Sequence, residues 1–204
     1  MTFRESVERT LEIERRNAVA SRWVEGALMF RGYRQEYAYY AKRHGGSAHA
    51  DAPVEDVWRV VQTIGGDTGY FFMDWAWRLR GFVDWLLGGT GLSRGRRDPE
   101  HLRVGDFVDS WQVVAMEPPR RLTLGFGMKA PGTGVMEFAI EPEAEGSRVT
   151  VTAYWHAAGV WGLTYWLAHA PMHAVVFDGM ARRIAERAAA LAQGTEGSAT
   201  EDLR

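Results

Sequence analysis

The chain has 204 residues, 46% of them hydrophobic and 25% charged, with a net charge of −2. That length and balance describe one globular domain with at most a small extension, and exclude a disordered chain, a fibrous repeat or a basic nucleic-acid surface. The absence of cysteine removes disulfides, thiolate nucleophiles and cysteine-ligated metals. Nine tryptophans remain to be explained; large aromatic side chains suit a big core or an apolar pocket.

The N-terminus lacks the apolar run of a signal peptide, and the expected location is cytoplasmic. Residues 3–30 read as a helix, with Phe3, Val7 and Leu11 at four-residue steps. This stripe is too narrow to hold a free helix, so the segment is expected to pack across the domain or join a homodimer. Residues 1–32 are thus an extension, 33–193 the main domain and 194–204 a disordered tail.

Tyr33 to His49 reads as a first strand or strand pair, with Gly45-Gly46 at a bulge or turn. A helix starts near Asp51 or Ala52, with Pro53 in its first turn. It carries Val57, Trp58, Val61 and Ile64, and stops at Gly65-Gly66. Residues 74–88 form a second helix, apolar nearly all round, which is therefore buried or caps a pocket. Its Asp74/Arg78 and Arg80/Asp84 pairs have helical i,i+4 spacing.

Beyond Val104 the hydrophobic period changes to two. The segments 106–116, 121–129, 134–141 and 147–156 alternate, separated by Pro118-Pro119, Pro131-Gly132 and Pro142 to Gly146. Short joints of this kind make an antiparallel meander. A long helix follows from about 161 to 192. Residues 157–177 hold no charge, yet two histidines and Pro171 make a poor membrane span, so this stretch is expected as a buried loop and helix. The fold class is α+β: a curved antiparallel sheet wrapped around the long last helix, with two short helices closing one end.

This order resembles the START-like (SRPBCC) helix-grip superfamily, which includes pollen-allergen-like binders and aromatic polyketide cyclases. The closer likeness is to a branch often fused behind NAD(P)-binding Rossmann domains. It is carried by IGGDTGYFFMDWAWRLRGFVDWLLGGTGLSRGRRDP (64–99), LRVGDFVDSWQVV (102–114), MKAPGTGVMEF (128–138) and TYWLAHAPMHAVVFDGM (164–180), spanning over half the chain. The resemblance implies a deep apolar cavity between sheet and helix. No GxGxxG strand-turn-helix unit stands ahead of it, so no dinucleotide is expected by that route and no cofactor is assigned.

Strand parity assigns candidate lining residues. Phe107, Asp109, Trp111, Val113 and Ala115 share one face, and Leu122, Leu124, Phe126 and Met128 another. Met136, Phe138 and Ile140, then Val149, Val151, Ala153 and Trp155, continue the inner surface. Glu137 and Lys129 then face outward. On the last helix, Tyr165, His169, His173, Phe177, Met180 and Ile184 form one stripe. The expected ligand contacts are Trp111, Phe126, Phe138, Trp155, Tyr165, His169, Phe177 and Met180. Asp109, the one carboxylate that parity turns inward, is expected to meet His173 across the cavity as an acid–base pair, with Arg78 or Arg80 as rival partners. Such a pair holds the His173 proton to higher pH than a free histidine does. His169 and His173 lack the glutamate of a zinc helix, and no metal is assigned. Arg94, Arg96 and Arg97 are a solvated loop, or an anion contact at the mouth.

The functional expectation is a binder of a small hydrophobic or aromatic metabolite such as a lipid, polyketide or isoprenoid-like molecule, with no nucleic-acid partner and no membrane span. The alternatives are a cyclase or dehydratase acting on a polyketide-like chain without a cofactor, and an accessory domain partnering an oxidoreductase.

Overall fold

A computed structural model describes residues 42–92 and 95–201, with side chains through Gly194. The expected helix over 3–30, the start of the first strand at 33–41, Arg94 and the last residues of the tail lie outside the described residues.

The elements run β1 (Lys42–Ala50), α1 (Val54–Gln62), a 3-10 turn (Gly66–Thr68), α2 (Asp74–Leu86), β2 (Phe107–Val108), β3 (Trp111–Glu117), β4 (Arg121–Phe126), β5 (Gly132–Pro142), β6 (Ser147–Ala157) and α3 (Gly159–Glu201). The six strands form one sheet in the order β1-β6-β5-β4-β3-β2, every pair antiparallel. This is the α+β helix-grip architecture. Helix α3 packs on β1 and β6, and α1 packs against α3 and β5. Backbone helix continues to Glu201, through most of the segment expected as a tail.

Gly45-Gly46 marks neither bulge nor turn. β1 is continuous, and a side chain at Gly46 would run into the backbone of α3 at Phe177 and Asp178. The glycine lets the helix cross the strand at close range. At α1 the boundary also differs: Pro53 itself is the N-cap, with extended φ −64° and ψ 157°. Gly65 and Gly66 end the segment at φ 82° and 55°, where a Cβ is disfavoured.

Parity holds for β4, β5 and β6. Leu122, Leu124, Met136, Phe138, Ile140, Val149 and Val151 are all buried in the core. It fails before β3. The expected strand 106–116 is a tight hairpin, with Val108 paired to Trp111 and Asp109-Ser110 in the turn. Val108 is therefore the inner residue and Phe107 the outer one. A register shift between Val113 and Ala115 then puts Ala115 opposite Thr123, on the outer face. Gly132 likewise belongs to β5 rather than to the joint before it.

Neither uncharged or apolar helical stretch is buried as a whole; of the two expectations for α2, burial fails and capping of a pocket is met through Trp77 and Arg80. On α2 only Gly81 and Asp84 are buried, while Trp75, Leu79, Phe82, Trp85 and Leu86 are exposed. The uncharged start of α3 exposes Val160, Trp161, Leu167 and Val175 in the same way. Neither expected ion pair forms on α2. Asp84 instead accepts the backbone N–H groups of Gly91 at 2.9 Å and Lys129 at 2.6 Å, and Asp74 accepts that of Tyr70 at 2.7 Å.

Candidate functional site

Where α2 and the first turns of α3 meet the sheet, the core opens into a cavity. It holds about 100 Å³ of space for the centres of water-sized molecules. That is smaller than the few hundred cubic ångströms usual for ligand pockets, because the indoles of Trp155 and Trp166 stack at 6.4 Å and fill part of it. The floor is Trp111, Phe126, Ala153 and Trp155 from the inner face of β3, β4 and β6. The opposite wall is Tyr165, Trp166, His169, His173 and Phe177 from α3, and Trp77 and Arg80 from α2 close the side.

The rings form a continuous run. Tyr70 stacks on Trp77 at 4.7 Å, Trp77 meets Trp111 at 6.2 Å, and Phe126 stands edge-on to both Trp111 (5.3 Å) and Trp155 (5.5 Å). Such edge-to-face packing fixes ring orientation and adds to the area each ring buries. The Arg80 guanidinium lies 5.6 Å over the Phe126 ring and donates to the Lys129 carbonyl at 3.0 Å.

Four polar atoms of the wall share one property. The indole nitrogens of Trp77, Trp111 and Trp155 and Nδ1 of His173 are shut off from water, and each has no hydrogen-bond partner. Trp111 lies near enough to the Tyr70 hydroxyl to act on its titration, but its N–H misses hydrogen-bond geometry and is counted with the others. All four residues line the cavity. A buried polar group without a partner costs about 1–3 kcal/mol, and a ligand satisfies these only where the surrounding rings part to open them to the cavity.

His173 packs between Trp166 at 4.7 Å and Phe177 at 5.5 Å, with His169 and His44 slightly further off, at 6.0 and 6.4 Å. Burial, and then repulsion from His169 and His44, push its pKa down to about 4. The imidazole is neutral at physiological pH. The Nδ1–H of His169 donates to the Tyr165 carbonyl at 2.8 Å. Among the described residues no group of three or more histidine or acidic side chains is arranged to hold a metal ion.

Asp109 does not meet His173. Its Oδ2 accepts the Tyr70 hydroxyl at 3.0 Å and the Gly66 N–H at 3.2 Å, in a hairpin turn with φ 53°. The expected acid–base pair fails because the parity argument extended a strand through what is a turn. The His173 shift is correspondingly the opposite of the one expected from a carboxylate neighbour. Arg78 and Arg80 do not replace it as partners either. Arg96 is tied to the Ile64 and Asp98 carbonyls and Arg97 to Asp106, so both brace loops.

Of the expected ligand contacts, Trp111, Phe126, Trp155, Tyr165, His169 and Phe177 line the cavity. Phe138 and Met180 do not; both are fully buried in the closed core, further along the sheet and helix. The lining residues missed include Trp77, Arg80, Trp166, Met172 and Val176. The helical stripe at four-residue steps had legible edges one residue to either side, at Trp166 and Val176. Glu137 faces outward as expected but is nearly covered, and burial raises its pKa.

A family model described as Protein of unknown function (DUF2867) matches residues 36–180. No curated protein matches the chain. Solved structures that align with it include CalU16 of Micromonospora echinospora, at 15% identity and TM-score 0.37 over 76% of this chain and 97% of that one. The Polyketide_cyc-like protein Cgl2372 of Corynebacterium glutamicum aligns at 13% identity and TM-score 0.41, over 73% and 90%. A protein of Rhodobacter sphaeroides aligns at 17% identity and TM-score 0.43, over 74% and 95%.

Proposed function

We propose that this chain, which belongs to the DUF2867 family, binds a small aromatic or polycyclic molecule carrying hydrogen-bond acceptors in the cavity between α2, α3 and the sheet. The observation that carries the reading is the clustering of unpartnered indole N–H groups on an otherwise apolar aromatic wall. A pure hydrocarbon would leave those donors unsatisfied; carbonyl or ether oxygens on a flat ring would satisfy them while stacking on the rings.

Binding is favoured over proton-transfer catalysis by two features. Asp109 is engaged elsewhere by Tyr70 and Gly66. An imidazole with a pKa of about 4 is a weak base, far from the value that suits proton transfer near neutral pH. The cyclase-type alternative therefore loses the Asp109–His173 pair on which it was based. The aromatic cavity, in turn, favours binding over a purely accessory role. Because the cavity is small, entry of a two-ring ligand requires the Trp155–Trp166 stack to part. Titration with anilinonaphthalene sulfonate, read by tryptophan quenching, tests the reading: saturable binding that Trp155→Ala weakens about tenfold supports it. Quenching that is absent, or equal in the variant, opposes it.

A further inference from the structure

The outward faces of α2 and of the first half of α3 are apolar, and both helices contribute to the cavity wall, α2 through Arg80 and α3 through Tyr165, His169 and Met172. Trp75 and Trp85 are 63% exposed, Val160 77% and Trp161 79%, with Leu79, Phe82, Leu86, Leu167 and Val175 between them. This far exceeds the scattered apolar residues of an ordinary surface. Tryptophan and leucine on one helix face with arginine beside them is the composition of a helix lying in a membrane interface. No described helix is long and apolar enough to cross a membrane, so any contact would be in the surface plane.

Charge narrows the partner. The chain as a whole carries −2, yet α2 and the following turn through Leu92 hold after Asp74 only one acid, Asp84, which is fully buried. Residues 157–177 hold no charged residue at all. What α2 presents outward beside its apolar side chains is Arg78. A shallow groove of about 330 Å³ runs along α2 between Gly81, Phe82, Trp85, Gly91 and Leu92, with Arg78 on its edge. An acyl chain fits such walls, and a phosphate fits the guanidinium.

From these features we infer that the exposed apolar sides of α2 and of the start of α3 dock on a membrane containing anionic phospholipid. The interaction stands apart from the identity of the cavity's occupant. Apolar burial of the tryptophans and leucines supplies most of the affinity, and Arg78 makes it depend on anionic lipid and on salt.

The test is co-sedimentation of the full chain with vesicles of phosphatidylcholine alone and of phosphatidylcholine with a third phosphatidylglycerol. The expected result is binding to the mixed vesicles that weakens at high salt, that falls by about tenfold or more in the Leu79→Glu, Trp161→Glu double variant, and that becomes insensitive to phosphatidylglycerol in Arg78→Gln. Leu79→Ser, Trp161→Ser replaces the first pair if the glutamates unfold the chain, as circular dichroism would reveal. Failure to sediment with either vesicle overturns the inference, as does binding that the double variant leaves unchanged. A dimer in light scattering that the double variant dissolves, without vesicle binding by the wild type, assigns the face to a second copy of the chain and equally overturns it. None of these residues lines the cavity, so these outcomes leave its occupancy untouched.

Discussion

The hydroxyl of Tyr70 donates to Oδ2 of Asp109 at 3.0 Å, joining the segment before α2 to the β2–β3 turn. Burial, reinforced by the Asp109 charge, holds the phenol protonated far into alkaline pH. The same carboxylate oxygen takes the Gly66 N–H, so Asp109 staples two loops at one end of the sheet. Asp109→Asn keeps an acceptor and tolerates the left-handed φ; it should cost about 1 kcal/mol of stability. Asp109→Ala strands both donors at a strained backbone position and should cost about 2–4 kcal/mol. Denaturant unfolding of the two variants checks the order. Dye binding in Asp109→Asn should equal wild type, since Asp109 does not line the cavity.

His173 makes stability depend on pH. The unfolded chain protonates an ordinary histidine near 6.5, while the folded site resists a proton until about 4. Between those values the unfolded state binds more protons, so the stability contributed by neutral His173 is present above about pH 6.5 and is lost as pH falls towards 4. Because the ring is only partly buried, the loss should be on the order of 1–2 kcal/mol. His173→Phe should flatten this part of the curve. Chemical denaturation at a series of pH values gives the answer, and an unchanged slope in the variant would assign the dependence elsewhere.

Two aromatic substitutions separate the cavity from the core. Phe138 is fully buried among Leu122 and Val151, and Phe138→Ala should cost about 3–5 kcal/mol. Trp155→Phe keeps a ring in the wall and removes an N–H that has no partner. It should cost less than about 1.5 kcal/mol while weakening dye binding. Thermal melts and titrations of both variants distinguish the two roles.

The fold was legible where one rule acted alone. Alternation gave the inner faces of β4, β5 and β6 because no bulge interrupts them, and helical spacing found the Tyr165, His169, His173, Phe177 stripe. Asp109 was misread because a two-residue turn and a strand residue share the same local composition; only pairing across to Trp111 distinguishes them. The outward exposure of α2 was illegible for a different reason. An all-round apolar helix is ordinarily buried, and the face left open by tertiary packing is not encoded in local periodicity. The unpartnered indoles could not be read at all, since satisfaction of a donor is a property of its neighbours.

Gly46 tests how closely α3 is held against the sheet. A methyl group there would collide with the helix backbone at Asp178, which cannot rotate away as a side chain could. Gly46→Ala should therefore cost about 2 kcal/mol or more, while Gly194→Ala, with open space around it, should be neutral or slightly stabilising. Equal melting temperatures for the two would mean that the strand–helix crossing is looser than described.

The most direct test of cavity binding is native mass spectrometry of freshly purified protein, wild type beside Ala153→Trp, whose added indole would fill the space under Trp155. The prediction is a non-covalent adduct of defined mass on the wild type, released by collisional activation and missing from the folded variant. Bare wild-type protein that also fails to retain an added aromatic ketone, or an adduct that survives in folded Ala153→Trp, would contradict it.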